Sequence, residues 1–262
     1  MEQFLDLVSY PIHDLESGRG RELVESCRSE LAQRGMFNLY DFVRPAALAK
    51  CIGDVRPAIE TASFTHKRQH NIYFLPHVPD LAPDHPALRV CETVNHTVCA
   101  DQITESLVCR LYHWPPFAAF LAATMDKTGL FAMDDPLAGA NVMTYRDGEA
   151  LNWHFDRSEF TTTLLLQAPD AGGEFQYRSN LRTDDDPNYD GVARLLVGND
   201  PEIQTMPVTA GTLNVFKGKN TAHRVTPVVG PMERIIAVFS YYERPGVRFS
   251  DEERIGFYGR AS

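Results

Sequence analysis

Asn152-Trp153-His154-Phe155-Asp156 places an imidazole and a carboxylate two positions apart. On an extended chain, side chains at i and i+2 project to the same face, so both groups converge on one point. Thr221-Ala222-His223-Arg224-Val225 supplies a second imidazole on a later extended segment. Two imidazoles and one carboxylate suit a divalent first-row metal. On one face of an octahedron they leave three adjacent positions open. A bidentate co-substrate can take two of these, and O₂ the third.

A His-x-Asp pair is a weak signal alone, because nine histidines and 35 acidic residues in 262 produce such pairs readily. Its surroundings strengthen it. Phe160 to Gln167 follows as a strong strand, and His223 comes just after the apolar strand Gly211-Thr212-Leu213-Asn214-Val215-Phe216. Arg234 then opens Arg234-Ile235-Ile236-Ala237-Val238-Phe239, where alternation puts Arg234, Ile236, Val238 and Ser240 on one face. A lone arginine on an inward face needs a carboxylate partner. A dicarboxylate chelating the metal would supply one. The donor set is that of non-haem Fe(II) oxygenases.

Texture divides the elements that must position these residues near residue 135. Before it, helical spacing prevails. Leu23, Cys27 and Leu31 recur with a helical period and Gly35 ends the run; Leu48, Ile52, Val55 and Ile59 repeat it after Pro45, and Pro57 predicts a kink or an end. The stretches 86–100 and 115–128 also read as helices, with a strand over Asn71–Leu75 between the second helix and 86. After 135, short strands rich in Thr, Val, Ile, Phe and Tyr are predicted over 139–146, 151–156, 159–167, 173–177, 202–208, 211–216, 222–228 and 233–242. The expected fold is α+β: a helical N-terminal half (1–135) packed against an antiparallel sandwich or jelly-roll core (136–245), with a C-terminal tail (246–262), all one domain. The stretch 178–200, holding Asp184-Asp185-Asp186-Pro187 and a helix near 190–197, is long enough to be a functional lid or edge.

Composition excludes other classes. The net charge of −10 argues against general nucleic-acid or anionic-membrane binding. No apolar run reaches membrane-spanning length, and the acidic N-terminus lacks the form of a secretory signal. The five cysteines (Cys27, Cys51, Cys91, Cys99 and Cys109) are scattered, which fits reduced thiols in a cytoplasmic protein. The sequence leaves a homo-oligomer open.

His154-x-Asp156, His223 and Arg234, in this order and spacing, resemble the iron(II)/2-oxoglutarate-dependent oxygenase superfamily. Asn152–Phe155, Asn220–Pro227, Tyr241–Gly246 and Ile255–Arg260 are similar, more narrowly, to the branch of free-amino-acid halogenases and related hydroxylases. The resemblance implies a double-stranded β-helix (jelly-roll, cupin-like) core. It implies Fe(II) on His154, Asp156 and His223, with 2-oxoglutarate and O₂ as co-substrates, and Arg234 on the distal carboxylate. Halogenating members of that branch have Gly or Ala where Asp156 stands, which opens a place for halide. With Asp156 present, hydroxylation (or desaturation or cyclisation) is expected instead.

Members acting on lysine carry an acid where this chain has Arg157. A cation there disfavours a cationic substrate tail and favours an acidic or neutral amino acid, unless Arg157 faces outward. Arg68 or His70, in the basic cluster His66–Asn71, could hold the substrate α-carboxylate or merely form a solvated turn. Tyr145, on the strand before the motif, is a candidate co-substrate contact or a core tyrosine. Asn220 and Thr221 flank His223 and could orient substrate or build a turn. Two rival readings are a cupin-type metalloenzyme without 2-oxoglutarate, indifferent to loss of Arg234, and a non-catalytic β-barrel binder that takes up no Fe(II).

Overall fold

The computed structural model describes residues 1–79 and 81–262. Its elements, in chain order, are α1 (Gly18–Arg34), β1 (Met36–Leu39), α2 (Pro45–Ala62), β2 (Phe64–His70), β3 (Cys91–Val98), α3 (Leu107–Tyr112), α4 (Pro115–Thr124), β4 (Phe131–Ala132), β5 (Ala140–Tyr145), β6 (Leu151–His154), β7 (Thr161–Gln167), β8 (Ala171–Gly172), β9 (Phe175–Arg178), α5 (Tyr189–Leu196), β10 (Gln204–Met206), β11 (Leu213–Phe216), β12 (Ala222–Val225), β13 (Val228–Val229), β14 (Arg234–Phe239), β15 (Tyr241–Tyr242) and α6 (Asp251–Tyr258). A seven-stranded sheet runs β1-β11-β7-β14-β5-β3-β2, and a four-stranded sheet runs β10-β9-β12-β6. All their pairings are antiparallel. The two sheets form a jelly roll. Among the described residues no helix is long and apolar enough to cross a membrane.

Strand alternation divides the large sheet between core and site. Ile235, Ala237 and Phe239 of β14 and Leu164 and Leu166 of β7 join the main core with Leu31, Val55, Phe117 and Phe120 of the N-terminal helices. The opposite face carries Leu165, Ile236 and Tyr145, which pack with Val228. Met36, Phe175, Tyr177, Met206 and Phe216 form a further cluster from strands of both sheets. The N-terminal helices therefore back the sheet whose other face presents Arg234.

The N-terminal half is more mixed than its texture predicts, since β1, β2 and β3 all join the large sheet. The segment 86–100, expected as a helix, is a short 3-10 turn followed by strand β3. The β-branched Thr93, Val94, Thr97 and Val98 favour extension. Their alternation is masked because Thr93, Asn95 and Thr97 are buried as well. The strand expected over 71–75 is a turn, and the true strand is β2 just before it. Helix α2 runs unbroken through Pro57, held by the buried face of Cys51, Val55, Ala58 and Ile59.

The stretch expected only as a C-terminal tail contains α6, which has a capping box between Ser250 and Glu253 and Gly259 as its left-handed stop. Asp135 anchors that stretch. Its fully buried carboxylate accepts from the amides of Leu137, Ala138 and Phe249 and from Arg254 Nε at 2.9–3.2 Å. Burial raises its pKa, but these donors outweigh burial and hold it below the usual carboxylate value. Its contribution is therefore present above about pH 4 and lost as pH falls through the depressed folded value. Asp135→Ala is expected to destabilise the fold by about 3–5 kcal/mol, because it leaves the amides of Leu137, Ala138 and Phe249 without their acceptor and removes the buried partner of Arg254 Nε. Urea denaturation measures this.

Candidate metal centre

His154 ends β6 and His223 lies in β12, and the antiparallel register sets them directly opposite each other. Their ring centroids are 4.1 Å apart. His154 Nδ1 meets the Asn152 carbonyl at 2.8 Å, and His223 Nδ1 meets the Thr221 carbonyl at 3.0 Å. A carbonyl only accepts, so each Nδ1 carries the proton and each Nε2 keeps a free lone pair. Both Nε2 atoms face Asp156, His154 at 3.4 Å from Oδ1 and His223 at 3.5 Å from Oδ2. The donor atoms of all three residues lie within 4.8 Å of one another. Burial, then the neighbouring His223, lower the pKa of His154, which keeps it neutral as a ligand must be. Burial alone would raise the pKa of Asp156, but the two imidazoles hold it well below the usual carboxylate range.

Asp156 lies beyond the end of β6, so strand alternation alone does not aim it. Its amide donates to the Gly218 carbonyl at 3.0 Å, and Thr161 Oγ1 donates to its Oδ2. Gly218 has no room for a side chain, since a Cβ there would overlap both Asp156 Oδ2 and Thr161 Oγ1. Gly218→Ala is expected to push the carboxylate aside and weaken Fe(II) binding about 10–100-fold, the usual cost of disturbing a ligand's support. Anaerobic metal titration measures this.

Arg234 opens β14 directly across from Tyr145 of β5. Its guanidinium carbon lies 5.8 Å from the Tyr145 ring centre. Nε donates to the Gly173 carbonyl at 3.0 Å, while Nη1 is buried with no partner. Burial pushes its pKa down to about 10, so it remains charged at neutral pH. An orphaned buried guanidinium nitrogen calls for an anion. Burial pushes the Tyr145 hydroxyl up to about 12, so it stays a neutral donor.

The remaining sequence candidates divide by placement. His70 uses both ring nitrogens, Nδ1 on the Asn71 carbonyl and Nε2 on Thr93 Oγ1, both at 2.9 Å. It acts as a wall, stacked 4.4 Å from Phe74, whose ring meets His154 edge-on at 6.0 Å. Phe74 has a left-handed φ of 57°, a conformation that costs a non-glycine residue about 1–3 kcal/mol. Asn71 Oδ1 holds this turn by accepting from the amides of Tyr73 and Leu75. Arg68 is exposed, with its guanidinium 4.6 Å over Phe74. Arg157, expected to bear on substrate charge, is 69% exposed and paired with Glu253 of α6 at 2.8 Å. That salt bridge, available only because α6 folds back, occupies its charge. Thr221 is fully buried with an unpartnered Oγ1 that lies toward Gly35. Asn220 Nδ2 donates to the Arg182 carbonyl at 3.0 Å, tying the 178–200 segment to the His223 turn. Sequence reasoning missed Arg182 itself, although the unusual length of that segment pointed to the region.

The donor set and the orphaned arginine fit Fe(II), 2-oxoglutarate and O₂, and the chain is a member of the 2-oxoglutarate/Fe(II) oxygenase superfamily. The profile of the family described as halogenase D matches residues 21–250, and the chain belongs to that family. No curated protein matches. The fold is shared with a 2OG-Fe(II) oxygenase family protein from Burkholderia pseudomallei, at 14% identity over 86% of this chain and 92% of that one, with a TM-score of 0.53. It is also shared with AviO1 from Streptomyces viridochromogenes Tue57, at 15% identity over 83% and 93% of the two chains (TM-score 0.55). A third is the non-haem α-ketoglutarate-dependent epimerase SnoN from nogalamycin biosynthesis, at 12% identity over 84% and 83% (TM-score 0.55).

Proposed function

We propose that the protein is an Fe(II)/2-oxoglutarate-dependent dioxygenase that hydroxylates an unactivated C–H bond of a free amino acid. The observation that carries this reading is the pairing of a His154–Asp156–His223 donor set, both imidazoles buried, with a buried Arg234 whose Nη1 has no partner. Fe(II), when bound, supplies the activation of O₂ with 2-oxoglutarate as reductant, yielding succinate and CO₂. His154 and His223 would hold it through Nε2, in tautomers already fixed by backbone carbonyls. Arg234 would bind the distal carboxylate of 2-oxoglutarate, with the Tyr145 hydroxyl as a neighbouring donor. Thr161 and Gly218 keep Asp156 in place. A resident carboxylate occupies the position a halide would need, which favours hydroxylation despite the family's description. The low exposure of His154, His223 and Tyr145 excludes bulk water from the reacting centre.

A screen of free amino acids for stimulated, 2-oxoglutarate-dependent succinate release tests the proposal, with mass spectrometry of the product. A product heavier by one oxygen is expected. Chlorinated product in the presence of chloride, or no stimulation by any amino acid, would contradict it.

A further inference from the structure

Arg182 is clamped between the two segments that carry the metal-facing residues. Its guanidinium carbon stacks 4.0 Å from the centre of the Phe155 ring and lies 5.9 Å from that of Tyr73. Phe155 stands between His154 and Asp156 in the chain. Arg182 Nε donates to the Lys219 carbonyl at 2.7 Å, in the turn that leads to His223. The side chain is half-buried, and its Nη groups have no hydrogen bond among the described residues.

Neighbouring cations are matched. Arg178 pairs with Asp200 and Glu202, Lys219 with Asp184, and Arg157 with Glu253. Arg182 has no carboxylate in ion-pair contact among the described residues, and Asp184 and Asp156 reach it only through longer-range attraction. On the Phe74 side of the metal centre, Arg68 likewise has no ion-pair partner among the described residues. A guanidinium held by its Nε and stacked on an aromatic ring is pre-oriented, and its open Nη edge matches a carboxylate. Half-burial without a counter-charge makes such a partner favourable.

We infer that the substrate is an acidic amino acid whose side-chain carboxylate is taken by Arg182. Arg68 is the matching cation for the α-carboxylate. This rests on the oxygenase reading and deepens it: the charge selection first ascribed to Arg157 passes to a residue of the long loop.

The test uses anaerobic protein loaded with Fe(II) and 2-oxoglutarate. L-aspartate, L-glutamate, L-asparagine, L-glutamine and L-lysine are titrated in while the visible charge-transfer band is followed, and the same panel is scored for succinate release in air. One of the acids is expected to perturb the band at a concentration about tenfold or more below that of its amide, and to stimulate succinate release. Arg182→Gln should remove that preference, whereas Arg182→Lys should keep part of it. The melting temperature of each variant reads the stacking on Phe155 separately. Several outcomes would overturn the inference: amides that act as well as acids, a preference that survives Arg182→Gln, acids that compete with 2-oxoglutarate, or binding without succinate release. Absence of the charge-transfer band would instead defeat the oxygenase reading. Calorimetric titration of the acids and amides into the unloaded wild-type and Arg182→Gln proteins would then judge Arg182 alone, with equal heats for the two proteins counting against it.

Discussion

His223→Ala is expected to lower Fe(II) affinity by more than the roughly 100-fold that loss of a ligand's supporting partner costs, and to abolish 2-oxoglutarate-dependent succinate release. The imidazole supplies one of three donors, so its loss leaves a site with two. It is also packed, with Phe216 at 4.8 Å and Phe175 at 5.6 Å, so the variant will lose stability as well. Asp156→Ala separates these effects, since the carboxylate's polar contacts are with Thr161 and the two imidazoles rather than with those rings, and the amide bond to the Gly218 carbonyl is kept. Both variants should lose metal in anaerobic titration, and only His223→Ala should show a large drop in melting temperature. Retention of one tightly bound Fe(II) per chain by either would remove that residue from the ligand set.

Arg234→Ala is expected to raise the KM for 2-oxoglutarate by roughly 30-fold to several thousand-fold, corresponding to about 2–5 kcal/mol for truncating one side of a buried charge pair. Fe(II) binding should survive, because Arg234 belongs to the opposite sheet from His154 and His223. Steady-state kinetics with varied 2-oxoglutarate, alongside metal titration of the same protein, measure the two quantities independently. The cupin-type alternative requires that Arg234→Ala leave turnover intact, so the two readings are far apart here.

The triad was legible because its determinants are short-range. A two-residue spacing brought His154 and Asp156 together, and position on predicted strands singled out His223 and Arg234. The register that seats His223 opposite His154, and Arg234 opposite Tyr145, depends on pairings between distant strands that the sequence does not spell out. Polar burial hid other features. β3 read as a helix because Thr93, Asn95 and Thr97 disguise a buried face. Segment 71–75 read as a strand because a side-chain cage on Asn71, rather than apolar pattern, decides its shape. Arg157 was singled out and Arg182 overlooked for a tertiary reason. Adjacency in sequence brought Arg157 near the metal, but α6 supplies Glu253 to claim it, while the 178–200 segment brings Arg182 back onto Phe155.

Anaerobic titration with Fe(II), first alone and then with 2-oxoglutarate, bears most directly on the three-donor site. One ferrous ion should bind per chain, and a visible charge-transfer band should grow only when 2-oxoglutarate is added. Failure to bind Fe(II) stoichiometrically, or a bound ion that gives no band with 2-oxoglutarate, would contradict the account.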